Sequence, residues 1–208
     1  MEIITLQNPK MFASNCYILC SEDSFSVVDP SVSYEDALTV CPRLSQLRPE
    51  YVLLTHGHVD HFWEIESYVK IGCRALISEL DAKTAGDPKM NCYEFLSGNI
   101  DSYKGEFHLI SDGDVIETVG KKFEVLATPG HSSGSVSYLT DGVIFTGDTL
   151  FAGGVFGRYD LPTSDGASLL HSLRRLFSLS EDLIVYSGHG GPTTLKKTKD
   201  AFYNRRDI

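Results

Sequence analysis

The sequence contains no run of about eighteen uncharged apolar residues, so none of its segments is suited to span a bilayer as a helix. Its opening residues, Met1-Glu2-Ile3-Ile4-Thr5, lack the basic stretch followed by an apolar one that marks an export signal. Both absences predict a cytoplasmic protein with no membrane partner. Positive charge is scarce: 18 Lys and Arg against 28 Asp and Glu leave a net charge of −10. A phosphate backbone would meet a repulsive average field, which predicts no nucleic-acid partner. Cysteine is sparse and odd in number, five residues at 16, 20, 41, 73 and 92 with no C-x-x-C pair. That count fits poorly with a secreted disulfide framework and suits reduced thiols packed as small hydrophobes. No internal repeat and no linker rich in Pro, Gly or Ser interrupts the chain, so residues 1–208 read as a single domain. The 42% of hydrophobic residues supply the core of a globular α/β protein.

One pattern recurs. Four times a short apolar run, strand-like in its β-branched and aromatic content, stops at a small residue beside a His or Asp. The runs are Tyr51 to Thr55 before His56, Phe123 to Thr128 before Pro129-Gly130-His131, Val143 to Gly147 before Asp148, and Leu183 to Gly188 before His189. Loops that leave strands at one edge of a sheet meet in a crevice, so these distant residues are predicted to cluster there. Other elements expected are a strand at Phe25 to Asp29, a hairpin turning at Asp141-Gly142 and helices over Phe62 to Lys70 and from Leu195 onward. A further helix over Asp165 to Leu179 would bury Leu169, Leu170, Leu173, Leu176 and Phe177 on one face. The polar stretch from Asp87 to Phe107 carries Tyr93, Phe95, Tyr103 and Phe107, rings that either pin a loop to the core or line a site.

The densest chemistry is Thr55-His56-Gly57-His58-Val59-Asp60-His61. His56 and His58 alternate around a glycine that lets the backbone turn, so both rings can reach one ion, while Asp60 and His61 begin the next helix and face a neighbouring position. With His131, Asp148 and His189 the chain offers seven donors, enough for two four-coordinate ions if one carboxylate bridges. His108 and His171 fall outside this set and read as surface or boundary residues.

The segments T-H-G-H-V-D-H, T-P-G-H-S-S-G-S, F-T-G-D-T-L-F and S-G-H-G, in that order, resemble the metallo-β-lactamase superfamily, and most closely its glyoxalase II-like hydrolases. The resemblance implies a four-layer αββα sandwich with metals at one edge of the paired sheets. It implies that His56, His58 and His131 hold a first divalent ion, that Asp60, His61 and His189 hold a second, and that Asp148 bridges them, Asp60 and Asp148 counting as catalytic. It also argues against antibiotic hydrolysis, because β-lactamases of the common type replace His61 and Asp148 by other residues.

Such a site would supply hydroxide at neutral pH, since a metal lowers the pKa of bound water from 15.7 toward about 7. The hydroxide would attack a carbonyl, and a thiolate with a pKa near ~8.5 could then leave without a dedicated acid. This chemistry is compatible with a thioester but does not select it over a lactone or another ester; the resemblance to glyoxalase II-like hydrolases implies a thioester such as S-D-lactoylglutathione as the small-molecule substrate. His and carboxylate donors suit zinc, iron and manganese alike, zinc being first choice. Arg158 and Tyr159, in Gly153 to Asp160, resemble the loop that meets the thiol carrier in glyoxalase II enzymes, although Arg158 could equally pair with Asp160. Only 19 residues follow His189, too few for the helical domain that carries much of the glutathione site in those relatives. Rival readings are a persulfide dioxygenase with one iron on His56, His131 and Asp148, a metal-dependent ribonuclease disfavoured by the acidic balance, and a non-catalytic metal module.

Overall fold

The computed structural model describes residues 1–10, 12–96 and 101–205. Two six-stranded sheets form it. The first runs β1 (Glu2–Gln7), β2 (Asn15–Cys20), β3 (Ser24–Val28), β4 (Arg48–Leu53), β5 (Arg74–Ser78) and β6 (His108–Ile110), adjacent in that order. The second runs β7 (Val115–Thr118), β8 (Lys121–Ala127), β9 (Val136–Thr140), β10 (Val143–Gly147), β11 (Ile184–Ser187) and β12 (Thr193–Thr194), again adjacent in chain order. From β3 to β6 the strands are parallel and helices supply the crossovers, namely α1 (Tyr34–Val40), α2 (Ile65–Lys70), α3 (Glu79–Ala85) and α4 (Tyr93–Leu96). Most of the second sheet is antiparallel, and α5 (Gly166–Phe177) links the parallel pair β10 and β11 before α6 (Leu195–Asn204) follows β12.

The layering follows from strand alternation. In β2, Cys16, Ile18 and Cys20 pack on the helical side with Phe25, Val52, Ile65 and Tyr68, whereas Tyr17 and Leu19 face the other sheet. Phe123, Val125, Tyr138 and Phe145 of the second sheet close that middle core, while Leu126, Ile144 and Val185 point outward onto Leu169, Leu173, Leu176, Phe177 and Phe202. Three cores separated by two sheets make four layers, αββα, as expected from the resemblance. All five cysteines are free and buried.

Several local expectations change. The α5 helix begins on an Asp165 cap that accepts from Ser168 N, but Leu170 lies 38% exposed and Ser172 takes the buried position, its hydroxyl donating to Pro129 O at 2.6 Å. Asp60 and His61 sit in a separate 3₁₀ turn, Val59–His61, ahead of α2. Gly57 does not serve a left-handed turn. A side chain there would come 2.4 Å from Asp81 O and 2.9 Å from Ala85 N, so the glycine lets α3 lie against the ligand loop. The stretch from Asp87 to Phe107 divides its rings, since Tyr103 is buried and Tyr93 and Phe107 pack partly against the first core while Phe95 stands in solvent. Asn91 O accepts from Val59 N at 2.9 Å and ties this stretch to the ligand loop; residues 97–100 within it lie outside the described residues. Among the described residues no helix is long and apolar enough to cross a membrane.

Candidate metal centre

The four strand endings do converge, but at the shared edge of two sheets: β4 belongs to the first and β8, β10 and β11 to the second. A fifth ending joins them. Asp29 follows β3 with φ 50° and is buried, accepting from Thr55 N and Thr55 Oγ1, both at 2.8 Å, and facing His61 Nδ1 at 2.9 Å.

These contacts fix which imidazole nitrogen is free. The single Thr55 hydroxyl proton goes to Asp29, so Thr55 Oγ1 must accept from His56 Nδ1 at 3.1 Å, leaving His56 Nε2 with its lone pair. His131 Nδ1 meets a carbonyl, Arg158 O at 2.8 Å, and therefore donates, which frees its Nε2. His61 Nδ1 donates to Asp29, which leaves its Nε2 to take either a proton or a cation. The free nitrogens of His56 and His131 then meet His58 Nδ1 at 3.0 and 2.9 Å. One proton can bridge only one of those gaps at a time, whereas a cation at the centre would satisfy all three donors.

A second group stands beside the first. Asp60 Oδ2 lies 3.5 Å from His61 Nε2 and 3.3 Å from His189 Nε2. Asp148 spans both groups, with Oδ1 3.4 Å from His61 Nε2, and Oδ2 3.4 Å from His131 Nε2 and 3.5 Å from His189 Nε2. Donors about 2.0–2.1 Å from one zinc in a tetrahedral arrangement stand about 3.4 Å apart, the separation seen here. His61 Nε2 and Asp148 Oδ1 are buried yet have no hydrogen-bond partner although they face one another. Orphaned donors at coordination spacing, drawn from imidazole and carboxylate, fit a divalent ion.

The charge distribution agrees. Burial and the neighbouring imidazoles hold His56 well below its ordinary value and bring His58 down to about 3, so these two rings are neutral as ligands must be. Burial also works against a charged His61, but Asp60, Asp29 and Asp148 override it and raise its pKa well above the usual range. His189 is likewise pushed up to about 10 by Asp148 and Asp60 against the effect of burial. Without metal, the second group holds protons where a cation would sit.

This has a measurable pH dependence. A histidine whose pKa rises on folding stabilises the fold fully below its unfolded value, near ~6.5, and loses that contribution as pH climbs through its folded one. The melting temperature of metal-free protein is therefore expected to fall from about pH 6.5 to about pH 10, the range set by His189. Metal-loaded protein, in which the cation replaces those protons, should fall less. Parallel curves would show that these protons do not support the fold.

Asp29 and Asp81 were not singled out from the sequence. Asp81, buried at the start of α3, accepts from Gly57 N at 3.0 Å, Gly134 N at 3.2 Å and Ser132 Oγ at 2.5 Å. It joins the loop of His56 and His58 to the loop of His131. Asp29→Asn keeps size and tolerates the left-handed backbone, but removes the anion that orients His61. Metal competition should show an ion on the His61 group bound about 10- to 100-fold more weakly. Unchanged affinity would mean that the Asp29 carboxylate does not tune His61.

A cavity of about 480 Å³ opens above the cluster, with His58, Asp60, His131, Asp148 and His189 among its lining. Arg158 reaches its rim, paired with Asp160 by two contacts of 2.9 Å. Tyr159 is not among the lining residues; it is 56% exposed and its ring packs over Gly166. His108 and His171 lie at the surface, away from the cluster.

An αββα sandwich carrying a His/Asp metal-binding cluster at its sheet edge defines a class of metal-dependent enzymes. The chain belongs to the metallo-beta-lactamase superfamily, whose family model matches residues 10–189. It is 29% identical over 204 residues to the hydroxyacylglutathione hydrolase GloC of Haemophilus influenzae, covering 94% of this chain and 95% of that protein. Among solved structures it is similar to BLEG-1 B3 metallo-beta-lactamase, at 31% identity and a TM-score of 0.85 over 96% of this chain and 97% of that one. It is also similar to TTHA1623 in a di-iron-bound form, at 27% identity and a TM-score of 0.81 over 97% and 98%.

Proposed function

We propose that the protein is a dinuclear metallohydrolase that cleaves thioesters, with zinc as the first choice of metal and iron or manganese as substitutes. The observation that carries this reading is Asp148, whose two oxygens reach His131 of one ligand group and His61 and His189 of the other at the floor of an open cavity. In this reading His56, His58 and His131 hold one ion, Asp60, His61 and His189 hold the other, and Asp148 serves both. When bound, the ions lower the pKa of water and polarise a carbonyl. The chain's own contribution is positional: Thr55, Asp29 and the Arg158 carbonyl fix the imidazole tautomers before substrate arrives. A departing thiolate has a pKa near ~8.5 and needs no general acid, so the lack of an unengaged acid among the ligands is no obstacle. Of the two loop candidates, Arg158 at the rim can meet the departing half of the substrate, whereas Tyr159 does not line the cavity.

The similarity to GloC supports S-D-lactoylglutathione as the first compound to assay. A second reading, persulfide dioxygenation at one iron on His56, His131 and Asp148, draws on the 3.4 Å approach of Asp148 Oδ2 to His131 Nε2. Elemental analysis and turnover on one preparation decide between them. Two ions per chain with thioester cleavage support the hydrolase; one iron with oxygen uptake on glutathione persulfide supports the dioxygenase. The likeness to BLEG-1 adds a β-lactam to the panel, and preferential cleavage of that compound or of a lactone would reject the thioester assignment.

A further inference from the structure

The walls of the cavity are unlike its floor. Above the ligand cluster stand Phe12, Phe95, Leu96, Phe151, Phe156 and Leu161, side chains brought from three separate segments. Phe12 and Phe95 are 64% and 73% exposed, a costly placement for two aromatic rings unless something covers them. Cys92, also in the wall, is nearly inaccessible to water, and burial pushes its thiol up to about 11, so it adds no charge. Among the described residues the only cationic side chain other than histidine in the lining is Arg158, already held by Asp160. That surface pair is weak enough to open, but opening it leaves the Asp160 carboxylate beside any anion that takes its place.

We infer that the enzyme's substrate is a thioester of an apolar acyl group, seated against these aromatic walls, on a carrier that is uncharged or only weakly anionic. The inference rests on the thioester reading above and specifies which thioester. Hydrolysis adds water across the C–S bond and releases the acid and the thiol, so the balance needs no other reactant. The acyl chain lies against the phenyl rings while its carbonyl lies over the cluster. A short hydroxyacyl group would instead leave the walls wet and bring a hydroxyl into an apolar pocket. A carrier with two carboxylates, such as glutathione, would find one compromised cation. A cavity of about 480 Å³ is large enough for a six-carbon acyl group and part of its carrier.

The test uses metal-loaded full-length protein and S-acyl-N-acetylcysteamines from acetyl to hexanoyl. Burial of each methylene is worth about fourfold, so kcat/KM should climb along the series and gain at least about tenfold by hexanoyl. Phe95→Ser, a change at an exposed position, should lower the hexanoyl-to-acetyl ratio at least about fivefold. The same acyl groups on glutathione should gain less than about tenfold over N-acetylcysteamine, and a larger preference would overturn the carrier assignment. A flat or falling acyl series with cleavage intact would overturn the inference and leave the thioesterase reading standing. Calorimetric titration with the uncleavable thioethers S-hexyl- and S-(2-hydroxypropyl)-N-acetylcysteamine gives a readout apart from turnover. Tighter binding of the hexyl compound supports the apolar wall, and equal or weaker binding refutes it. Failure to cleave any thioester would remove the parent reading and the substrate assignment with it, and the titration would show whether the wall had failed too.

Discussion

Asp148→Asn is expected to lower kcat/KM on any cleaved substrate by at least about a thousandfold, equivalent to about 4 kcal/mol of lost transition-state stabilisation. Both Asp148 oxygens are committed, Oδ1 toward His61 and Oδ2 toward His131 and His189. An amide keeps one acceptor and turns two N–H donors toward imidazole nitrogens that must offer lone pairs. In the proposed dinuclear site it would also remove the full negative charge that serves both ligand groups. Bound metal should fall below two ions per chain. His58→Ala acts on the first group alone by deleting the nitrogen that His56 and His131 face at 3.0 and 2.9 Å, and should abolish turnover as well. Near-normal rates in either variant, with two ions confirmed by elemental analysis, would refute the dinuclear mechanism.

The difference between these residues and Asp29 or Asp81 shows what a sequence can disclose. The four ligand-bearing endings were legible because each pairs an apolar run with a ligand-type residue, a purely local signal. The cluster's place across two sheets was not local: β4 and β8 belong to different sheets, and periodicity does not say which strands share one. Asp29 carried the same signal, a strand from Ser24 to Val28 ending on an acid, yet it holds a ligand through Nδ1 and lies outside both ligand groups. Asp81 gave no usable signal. In Ser78-Glu79-Leu80-Asp81 it reads as a helix-capping pattern, and Ser78 does accept from Asp81 N. Its carboxylate meets Ser132 across 51 positions of chain, which only the tertiary fold creates. Leu170 failed for a related reason: helical spacing defines a stripe, while the packing of α5 on Pro129 selected Ser172 for its edge.

Tertiary packing also underlies the last prediction, in which no ligand is removed. A side chain at Gly188 would come 2.1 Å from Asp148 Oδ1 and 2.7 Å from His61 Cε1. The backbone there has little room to retreat, because Gly188 N donates to Gly147 O at 2.8 Å and Gly188 O accepts from Asn15 N at 2.6 Å, pinning the segment to both sheets. Gly188→Ala must therefore displace the carboxylate or the imidazole, opening contacts that now stand at coordination spacing. Overpacking of this kind costs about 1–3 kcal/mol in stability. A displacement of about 1 Å at a reacting centre can cost 10²-fold in rate, so activity should fall at least about 100-fold while the fold survives. In the proposed dinuclear site the ion on the His61 group should be lost first, since Asp148 Oδ1 and His61 lie on that side. Gly191→Ala, where no heavy atom lies within 4 Å of the added methyl, is the matched control and should stay within about twofold in both metal content and rate. Retention of two ions and activity by Gly188→Ala would mean that the β11 edge does not fix the bridging carboxylate, and that the ligands are held by the metals more than by the fold.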